Sequence, residues 1–208
     1  QFVKAKEITD KVDILSSSLL IAQTKNWIDN KEFNKFNQIF SCKNETDILS
    51  EFFFLISNIY SSEDEIGKSN FYLKISNFLN PKFHFNLSLF VENYYNSKNY
   101  RKIEKVLDDF DENDDLYYWY KIKIKTNIIS QELGQEQAYN FINSKFKKIK
   151  KPSIKILYDM ANLVKSFEKH QIAINYYNEL LTKINMNSNN YAEILFRRGG
   201  SYERLKKF

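Results

Sequence analysis

Glycine and proline are scarce in this chain of 208 residues, which contains 4 glycines and 2 prolines. A β-sandwich, a barrel or a doubly wound sheet would need more of these residues at its turns. Hydrophobic residues make up 43% of the chain, which is enough to build a folded core. The composition therefore favours helices joined by short turns.

Cysteine and long apolar runs are almost as rare. Cys42 is the single cysteine, so no internal disulfide can form and packing has to supply the stability. The longest apolar run, residues 52–56, is much shorter than the ~18 residues that a membrane span needs. We therefore expect a soluble chain with no membrane span and no signal peptide, and its compartment, cytoplasm or periplasm, stays open.

Neither sign of charge dominates. The chain has 31 basic and 26 acidic residues, a net charge of +5. Basic residues cluster between positions 145 and 155, and acidic residues cluster between positions 108 and 115. Such runs are typical of solvated turns between helices. Because nucleic-acid binders concentrate basic residues on one face, nucleic acid is not the expected partner.

Small residues recur at a regular spacing along the chain. Ser57 and Ser69 align without a gap with Ala161 and Ala173, since each pair is separated by twelve positions (57 to 69 and 161 to 173). The same frame predicts repeats that start near residues 17, 50, 84, 119, 154 and 192, the last one incomplete. Repeats of this length are typical of helix pairs that stack on their neighbours.

This pattern resembles the tetratricopeptide repeat, a helix-turn-helix unit of 34 residues. The resemblance is clearest in SNFYLKISNFLNP (69–81), where Pro81 falls on the closing proline, and in FRRGGSYERL (196–205), where Gly199 and Tyr202 fall on the small and aromatic positions. It implies an all-α fold, an α-solenoid of stacked antiparallel helix pairs in a right-handed superhelix. The two helices of a repeat are expected to cross at small residues, namely Ser57, Ser69 and Ser76, Thr126 and Ala138, Ala161 and Ala173, and Gly199.

Two repeats depart from the pattern. The third has Val91 and Ile103 at the small positions, and the first has Thr24 and Phe36, so we expect their crossings to be looser or shifted. These departures mark the first and third repeats as degenerate members of the series.

The two ends of the chain are predicted as follows. Residues 1–16 form an N-terminal element, a cap or the last helix of an earlier repeat, with a helix over residues 3–12 that packs on the first repeat. The solenoid covers residues 17–208. Its last helix, 192–208, would expose Leu195, Phe196 and Tyr202, so either the natural chain continues further or this helix mediates self-association.

In the proteins that this chain resembles, the first helix of each repeat lines a concave groove that binds a peptide. Asparagine can pair with a peptide backbone, tyrosine offers an apolar body with a polar tip, and lysine favours an acidic partner. The expected function is therefore a protein–protein interaction scaffold and not an enzyme. Transfer of the groove positions gives Asn58, Tyr95, Tyr120, Lys123, Asn127, Tyr158, Asn162 and Lys165, with Glu92, Gln131 and Lys155 on equivalent positions.

Some grooves of this kind hold a carboxylate between lysine and asparagine. Lys123 and Asn127 match the first half of that motif, but Asp159 stands where asparagine is required and Glu193 where lysine is required. Only Arg197 agrees in the second half. Because two carboxylates would repel a bound carboxylate, we do not expect this clamp.

Signatures of enzymes and of metal sites are weak. His84 at a helix start and His170 in a turn between helices have no ligand partners at metal-binding spacing. The acidic run approaches a calcium loop, but Asp114 occupies the place of the required glycine and Tyr120 that of the required glutamate. The glycines at 199–200 fall inside a helix, where close packing explains them. No cofactor and no metal ion is expected.

Two alternatives stay open. One is a helical-repeat protein that binds single-stranded RNA, because pentatricopeptide units have a similar length and the chain is basic. The ends of the second helices lack the Met-rich turn, with its Gly and Pro, that those units carry. The other alternative is a noncatalytic repeat arm of a larger protein.

Overall fold

The computed structural model describes residues 2–206, and this part of the chain is all-helical, as expected, with no strand. Residues 1, 207 and 208, at the ends of the predicted N-terminal element and of the predicted last repeat, lie outside the described residues. The helices are α1 (Phe2–Thr9), α2 (Leu19–Asp29), α3 (Asn34–Ile39), α4 (Glu45–Ser62), α5 (Ile66–Leu79), α6 (Phe85–Asn96), α7 (Tyr100–Asp108), α8 (Asp115–Glu132), α9 (Gln135–Phe146), α10 (Ile154–Ser166), α11 (His170–Leu181) and α12 (Asn189–Arg204).

Two compact units of helices make up the chain. One unit comprises Gln23–Lys121, and the other combines Val3–Ala22 with residues 122–206. In the first unit α4 packs on α5, α5 on α6, and α6 on α7. In the second unit α10 packs on α11, and α11 on α12. Each unit therefore consists of helices packed on their neighbours in the sequence.

The turns within the helix pairs are made almost without glycine. Positive φ angles occur at Lys31, Asp64, Lys98, Gly134, Glu168 and Lys206, which follow α2, α4, α6, α8, α10 and α12. These residues are 33, 34, 36, 34 and 38 positions apart by subtraction. After Asp64 the Glu65 N–H donates to the Tyr60 carbonyl, and after Glu168 the Lys169 N–H donates to the Val164 carbonyl. Such bonds close a helix end around one left-handed residue.

Serines meet at the crossing of α4 and α5. The Ser57 hydroxyl donates to the Ser69 carbonyl at 2.7 Å, and the two hydroxyl oxygens are 3.1 Å apart. One heptad away, Ser50 Oγ donates to the Ser76 carbonyl at 2.8 Å and Ser76 Oγ donates to the Ser50 carbonyl at 2.6 Å. All these serines are fully buried. The small-residue crossing predicted at Ser57, Ser69 and Ser76 is confirmed.

Alanines occupy the crossing of α10 and α11. Ala161 and Ala173 are fully buried in one core cluster that also contains Leu157, Tyr177 and Ile194. Neither position carries a hydroxyl, and the side chains of the cluster around them are largely apolar. The predicted crossing at Ala161 and Ala173 is confirmed as well.

The remaining predicted crossings differ in burial. Thr126 and Ala138 are fully buried, and so are Val91 and Ile103 of the predicted third repeat. In the first repeat Thr24 and Phe36 are only partly buried, and α3 contributes no buried residue.

Close packing at Gly199 is a wrong prediction. A Cβ atom added to this residue would meet nothing within 4 Å, apart from its own helix. The small buried residue of α12 is Ser201. The prediction assumed a fixed position within each repeat, but the turns differ in length. The predicted small position therefore falls on the exposed side of α12. His170 also differs from prediction, because it is the first residue of α11 and not part of the preceding turn.

The N-terminal segment does not pack as predicted. Helix α1 ends at Thr9, and its apolar residues Val3 and Ile8 are exposed. Leu15 is the buried residue of this segment, and it lies in the core cluster with Leu157 of α10 and Ile194 of α12. The reason is that Leu15 finds an apolar contact there, whereas α1 buries little.

The basic run lies only partly in the turn predicted for it, since Lys145 belongs to α9 and Lys155 to α10. Lys147, Lys148, Lys150 and Lys151 are exposed in the turn before α10, whereas Lys155 lies inside that helix.

Over the part of the chain that the structure describes, every helix is too short or too polar to cross a membrane.

Candidate functional site

A polar cleft lies against α10 and α12, within the unit that contains both helices. Its volume is about 480 Å³. The two helices contribute side chains from one face each, and the segment before α2 closes one side. Residues that line it include Asp13, Ser16, Tyr158, Asn162, Asn189, Asn190, Glu193 and Arg197.

A residue of α11 fixes the side chain of Asn162 by a hydrogen bond. The hydroxyl of Tyr177, a fully buried residue, donates to Asn162 Oδ1 at 2.8 Å. Arg197 Nη1 of α12 approaches the same oxygen at 3.4 Å. The amide of Asn162 therefore joins three helices, and its orientation is fixed before any ligand arrives.

Arg197 and Glu193 form the second part of the network. They lie one helical turn apart, and Arg197 Nε donates to Glu193 Oε1 at 2.6 Å. The hydroxyl of Tyr158 donates to the same carboxylate at 3.3 Å, and the Arg197 guanidinium lies 5.5 Å from the centre of the Tyr158 ring. Burial raises the pKa of Tyr158, so this hydroxyl remains a donor at neutral pH.

Lys165 lines a neighbouring recess of about 490 Å³ together with Arg197 and Arg204. Its ammonium donates to the Arg197 carbonyl at 3.3 Å. Burial lowers the pKa of Lys165, and the charges of Arg197 and Arg204 lower it further. Glu168 is the acidic residue on the wall. Because Arg197 is paired with Glu193, the remaining cations Lys165 and Arg204 outnumber the single carboxylate of Glu168, which favours an acidic ligand group.

Lys123 does not point a free ammonium at the solvent. It forms an ion pair with Asp159 of α10 at 2.8 Å, and the Asp159 side chain is mostly buried. Both residues that argued against a carboxylate clamp are therefore neutralised, Asp159 by Lys123 and Glu193 by Arg197. Lys123 and Arg197, the cations that would bind a carboxylate in such a clamp, are thus already paired with acidic residues of the chain. This pairing argues against the clamp more strongly than the repulsion between carboxylates does.

The predicted groove residues in the Gln23–Lys121 unit are less organised. Asn58 is exposed on α4, and the Tyr95 ring lies 6.0 Å from the Tyr100 ring. The Tyr120 hydroxyl donates to the Ser88 carbonyl at 3.3 Å, and burial raises its pKa. Asn127, on the later part of α8 in the other unit, is partly buried.

The structure thus brings together three of the predicted residues, Tyr158, Asn162 and Lys165. Tyr177 is not among the predicted residues, because it lies on α11 and the resemblance predicts groove residues only on first helices. Arg197 and Glu193 enter the sequence prediction only through the carboxylate clamp. Their spacing of four residues on one helix is the signal that could have identified the pair.

The acidic run before α8 has a structural role. Asp114 accepts from the backbone N–H groups of Leu116 and Tyr117 and from the Gln23 side chain. Glu112 binds Lys121 at 2.9 Å. Among the described residues, no group of three or more histidine, cysteine or acidic side chains is placed to hold a metal ion.

Comparison with protein-family models, with curated proteins and with solved structures finds no match to this chain. The candidate site is therefore defined by its own geometry.

Proposed function

We propose that this chain is a protein–protein interaction scaffold of the tetratricopeptide type, whose helix pairs form a solenoid and whose α10–α12 cleft binds an extended segment of a partner. The spacing of the left-handed turn residues supports the repeat part of this proposal. Six turns that follow one another at 33 to 38 residues have the period of helix-turn-helix repeats. The serine and alanine crossings at equivalent places support it further.

The network around Asn162 is the observation that carries the binding proposal. Tyr177, Arg197 and Glu193 hold polar groups at the edge of an open cleft in fixed orientations. Groups that are ordered before binding lose little conformational entropy when a ligand arrives. Their donors and acceptors suit a peptide backbone, which offers one N–H and one C=O at each residue.

The charge of the neighbouring recess selects among peptides. Lys165 and Arg204 outnumber Glu168 in its lining, so we propose that the bound segment carries an aspartate or glutamate that reaches this recess. The ligand class is therefore an acidic, extended peptide segment.

The test is selection of peptides from a random library on the intact chain, followed by calorimetric titration of the selected peptides. We expect acidic sequences, and we expect Lys165→Glu to weaken their binding at least about tenfold, or ~1.4 kcal/mol. Lys147→Glu, in the exposed turn before α10, is the matched control and should leave the affinity unchanged. Equal affinity of both variants would place binding elsewhere.

Asn162 needs a variant that keeps the core intact. Asn162→Ala alone leaves the buried Tyr177 hydroxyl without this partner, so it should be combined with Tyr177→Phe. The double variant should fold and bind the selected peptides weakly. Binding of single-stranded RNA instead of peptide, with strong dependence on salt, would favour the RNA alternative.

A further inference from the structure

A short loop between α1 and α2 packs on the helices that form the α10–α12 cleft. Leu15 of this loop is 4% exposed and lies in the core cluster with Leu157 of α10 and Ile194 of α12. Ile14 is partly buried against the same cluster. Residues 13–16 are called the Leu15 loop below.

A lysine of α10 binds the backbone of the Leu15 loop. Lys155 Nζ donates to the Leu15 carbonyl oxygen at 2.5 Å. Burial lowers the pKa of Lys155, whereas the negative charges of Asp159 and Asp13 act in the opposite direction. The loop is therefore attached by one apolar side chain and by one hydrogen bond from a charged donor, which is stronger than a bond between neutral groups.

The Leu15 loop keeps its shape by hydrogen bonds of its own. The Asp13 carboxylate accepts from the Leu15 N–H at 3.0 Å and from the Ser16 hydroxyl. The Ser17 hydroxyl donates to the Ile14 carbonyl at 3.0 Å. These bonds close a turn that presents Leu15 to the helices. An acidic residue two positions before a leucine is thus the part of the sequence on which the turn depends.

The contacts of the loop are made at groove positions that the sequence predicts for a bound peptide. Lys155, Tyr158 and Asn162 are the predicted positions on α10. Lys155 binds the loop backbone, and Tyr158 belongs to the same core cluster as Leu15. Asn162 lines the cleft together with residues of the loop. The Leu15 loop therefore lies where a partner segment is expected to bind.

Few buried side chains hold this loop. Among residues 11–18 Leu15 alone is buried, and before them α1 exposes Val3 and Ile8. Helices α10, α11 and α12, in contrast, pack on one another along their lengths. Because segments with few buried apolar side chains open at a low free energy, we expect the loop to leave the cleft while the three helices stay packed.

We propose that the Leu15 loop is a tethered ligand of the α10–α12 cleft, and that a partner segment with an acidic residue two positions before a leucine displaces it. This proposal rests on the proposed function, because it names the partner segment and the regulation of that cleft. A loop that occupies the cleft for about nine-tenths of the time lowers the apparent affinity for the partner about tenfold.

Fluorescence anisotropy with a labelled synthetic peptide tests the displacement. The probe is TDKVDILSSS, the sequence of residues 9–18. Leu15→Ala in the full chain weakens the tethered ligand, so this variant should bind the probe at least about tenfold more tightly than the unmodified chain does. Ile8→Ala, on the exposed side of α1, is the matched control and should bind the probe like the unmodified chain. A probe that carries the Leu15→Ala change should bind none of the three chains.

A second variant avoids a cavity in the core. The Asp13 side chain is exposed, so Asp13→Ala should open the turn without disturbing the packing of the helices. It should also bind the probe more tightly than the unmodified chain. Helical circular dichroism of both variants should match that of the unmodified chain.

Release of the loop can be followed in the chain itself. In a Cys42→Ser background, a fluorophore is attached at Lys11→Cys, an exposed position just before the loop. Saturation with unlabelled TDKVDILSSS should lower the anisotropy of this fluorophore, because the displaced loop moves more freely. Unchanged anisotropy at saturation would mean that the peptide binds without displacing the loop, which contradicts the proposal.

The remaining outcomes separate this proposal from the proposed function. Equal affinity of the unmodified chain, Leu15→Ala and Asp13→Ala for the probe overturns the tethered ligand and leaves peptide binding in the cleft intact. Acidic peptides from the library that bind while the probe binds no chain overturn it as well. Binding of the probe to Leu15→Ala, when no library peptide binds any chain, refutes the proposed function alone, since the cleft would then serve its own loop.

Discussion

The α4–α5 and α10–α11 pairs solve the same packing problem with different chemistry. Both bring two helices close together through small side chains that are separated by twelve residues in the sequence. In α4–α5 the small residues are Ser57 and Ser69, and their hydroxyls bond across the crossing. In α10–α11 they are Ala161 and Ala173, which lie in an apolar cluster. Both crossings therefore require small side chains. These side chains can be polar or apolar, provided that each buried hydroxyl has a hydrogen-bond partner.

The serine crossing has a further consequence for its surroundings. Asn93 of α6, which is fully buried, donates to Ser69 Oγ at 2.8 Å and to Asn70 Oδ1 at 2.9 Å. The Ser61 hydroxyl donates to the side-chain oxygen Oδ1 of Asn93 at 2.7 Å. The hydroxyl at the crossing thus links the α4–α5 pair to the next helix. In the α10–α11 pair this link is made beside the two alanines, by Tyr177, Asn162 and Arg197. A polar crossing is more specific but depends on complete hydrogen bonding.

The largest effect is expected where volume is changed. Ala161→Leu adds three carbon atoms at a fully buried crossing, and we expect the free energy of unfolding to fall by about 3 kcal/mol. Urea denaturation followed by circular dichroism measures this. Ala192→Leu on the exposed part of α12 is the control and should change stability by less than about 0.5 kcal/mol. Equal effects of the two variants would mean that volume does not limit the crossing.

A smaller effect is expected where a hydroxyl is removed. Ser69→Ala takes away an acceptor of the buried Asn93 amide, and we expect a loss of about 2 kcal/mol. Ser144→Ala removes a hydroxyl that bonds only to the Phe141 carbonyl of its own helix at the surface, and it should cost less than about 0.5 kcal/mol. Thermal unfolding of both variants decides the matter. A Ser69→Ala protein as stable as Ser144→Ala would remove the distinction between the two crossings.

The sequence predicted those features that depend on residue size at a fixed spacing. The all-helical fold and the crossings at Ser57, Ser69, Ala161 and Ala173 are of this kind, because a short side chain is visible in the sequence wherever helices approach. Asn93 escaped prediction because its partners come from two other helices. The packing of Leu15 escaped it too, since the Leu15 carbonyl accepts from Lys155, 140 residues away in the sequence.

The candidate site was predictable to a similar degree. Tyr158, Asn162 and Lys165 were identified one by one, and their proximity follows from their shared place on α10. The pairing of Lys123 with Asp159 joins two helices, so spacing within one helix could not reveal it. Whether the predicted groove residues bind a partner stays a prediction that the titrations above address.

Gly199 offers a test of the wrong prediction at the last repeat. If this glycine is not needed for close packing, Gly199→Ala should stabilise the protein by about 1 kcal/mol, because alanine favours an exposed helix interior. Differential scanning calorimetry measures the shift, and the Ala161→Gly variant serves as the opposite case, with a loss of stability. If Gly199→Ala instead lowered the stability, the original prediction of close packing at Gly199 would be supported. Gly199 would then correspond to Ala161 of α10.

The smallest effect concerns a feature that both pairs share. Asp64 after α4 and Glu168 after α10 have φ angles of 60° and 59°, and both residues are exposed. Glycine adopts this conformation without the steric penalty of a Cβ atom, but it loses more entropy on folding, so Asp64→Gly and Glu168→Gly should each stabilise the protein by about 0.5 kcal/mol. Thermal unfolding of the two single variants and of the double variant measures the gain, which should be equal and additive. Unequal gains would show that the two turns differ as the two crossings do, and then the helix pairs would share a period but not a common local design.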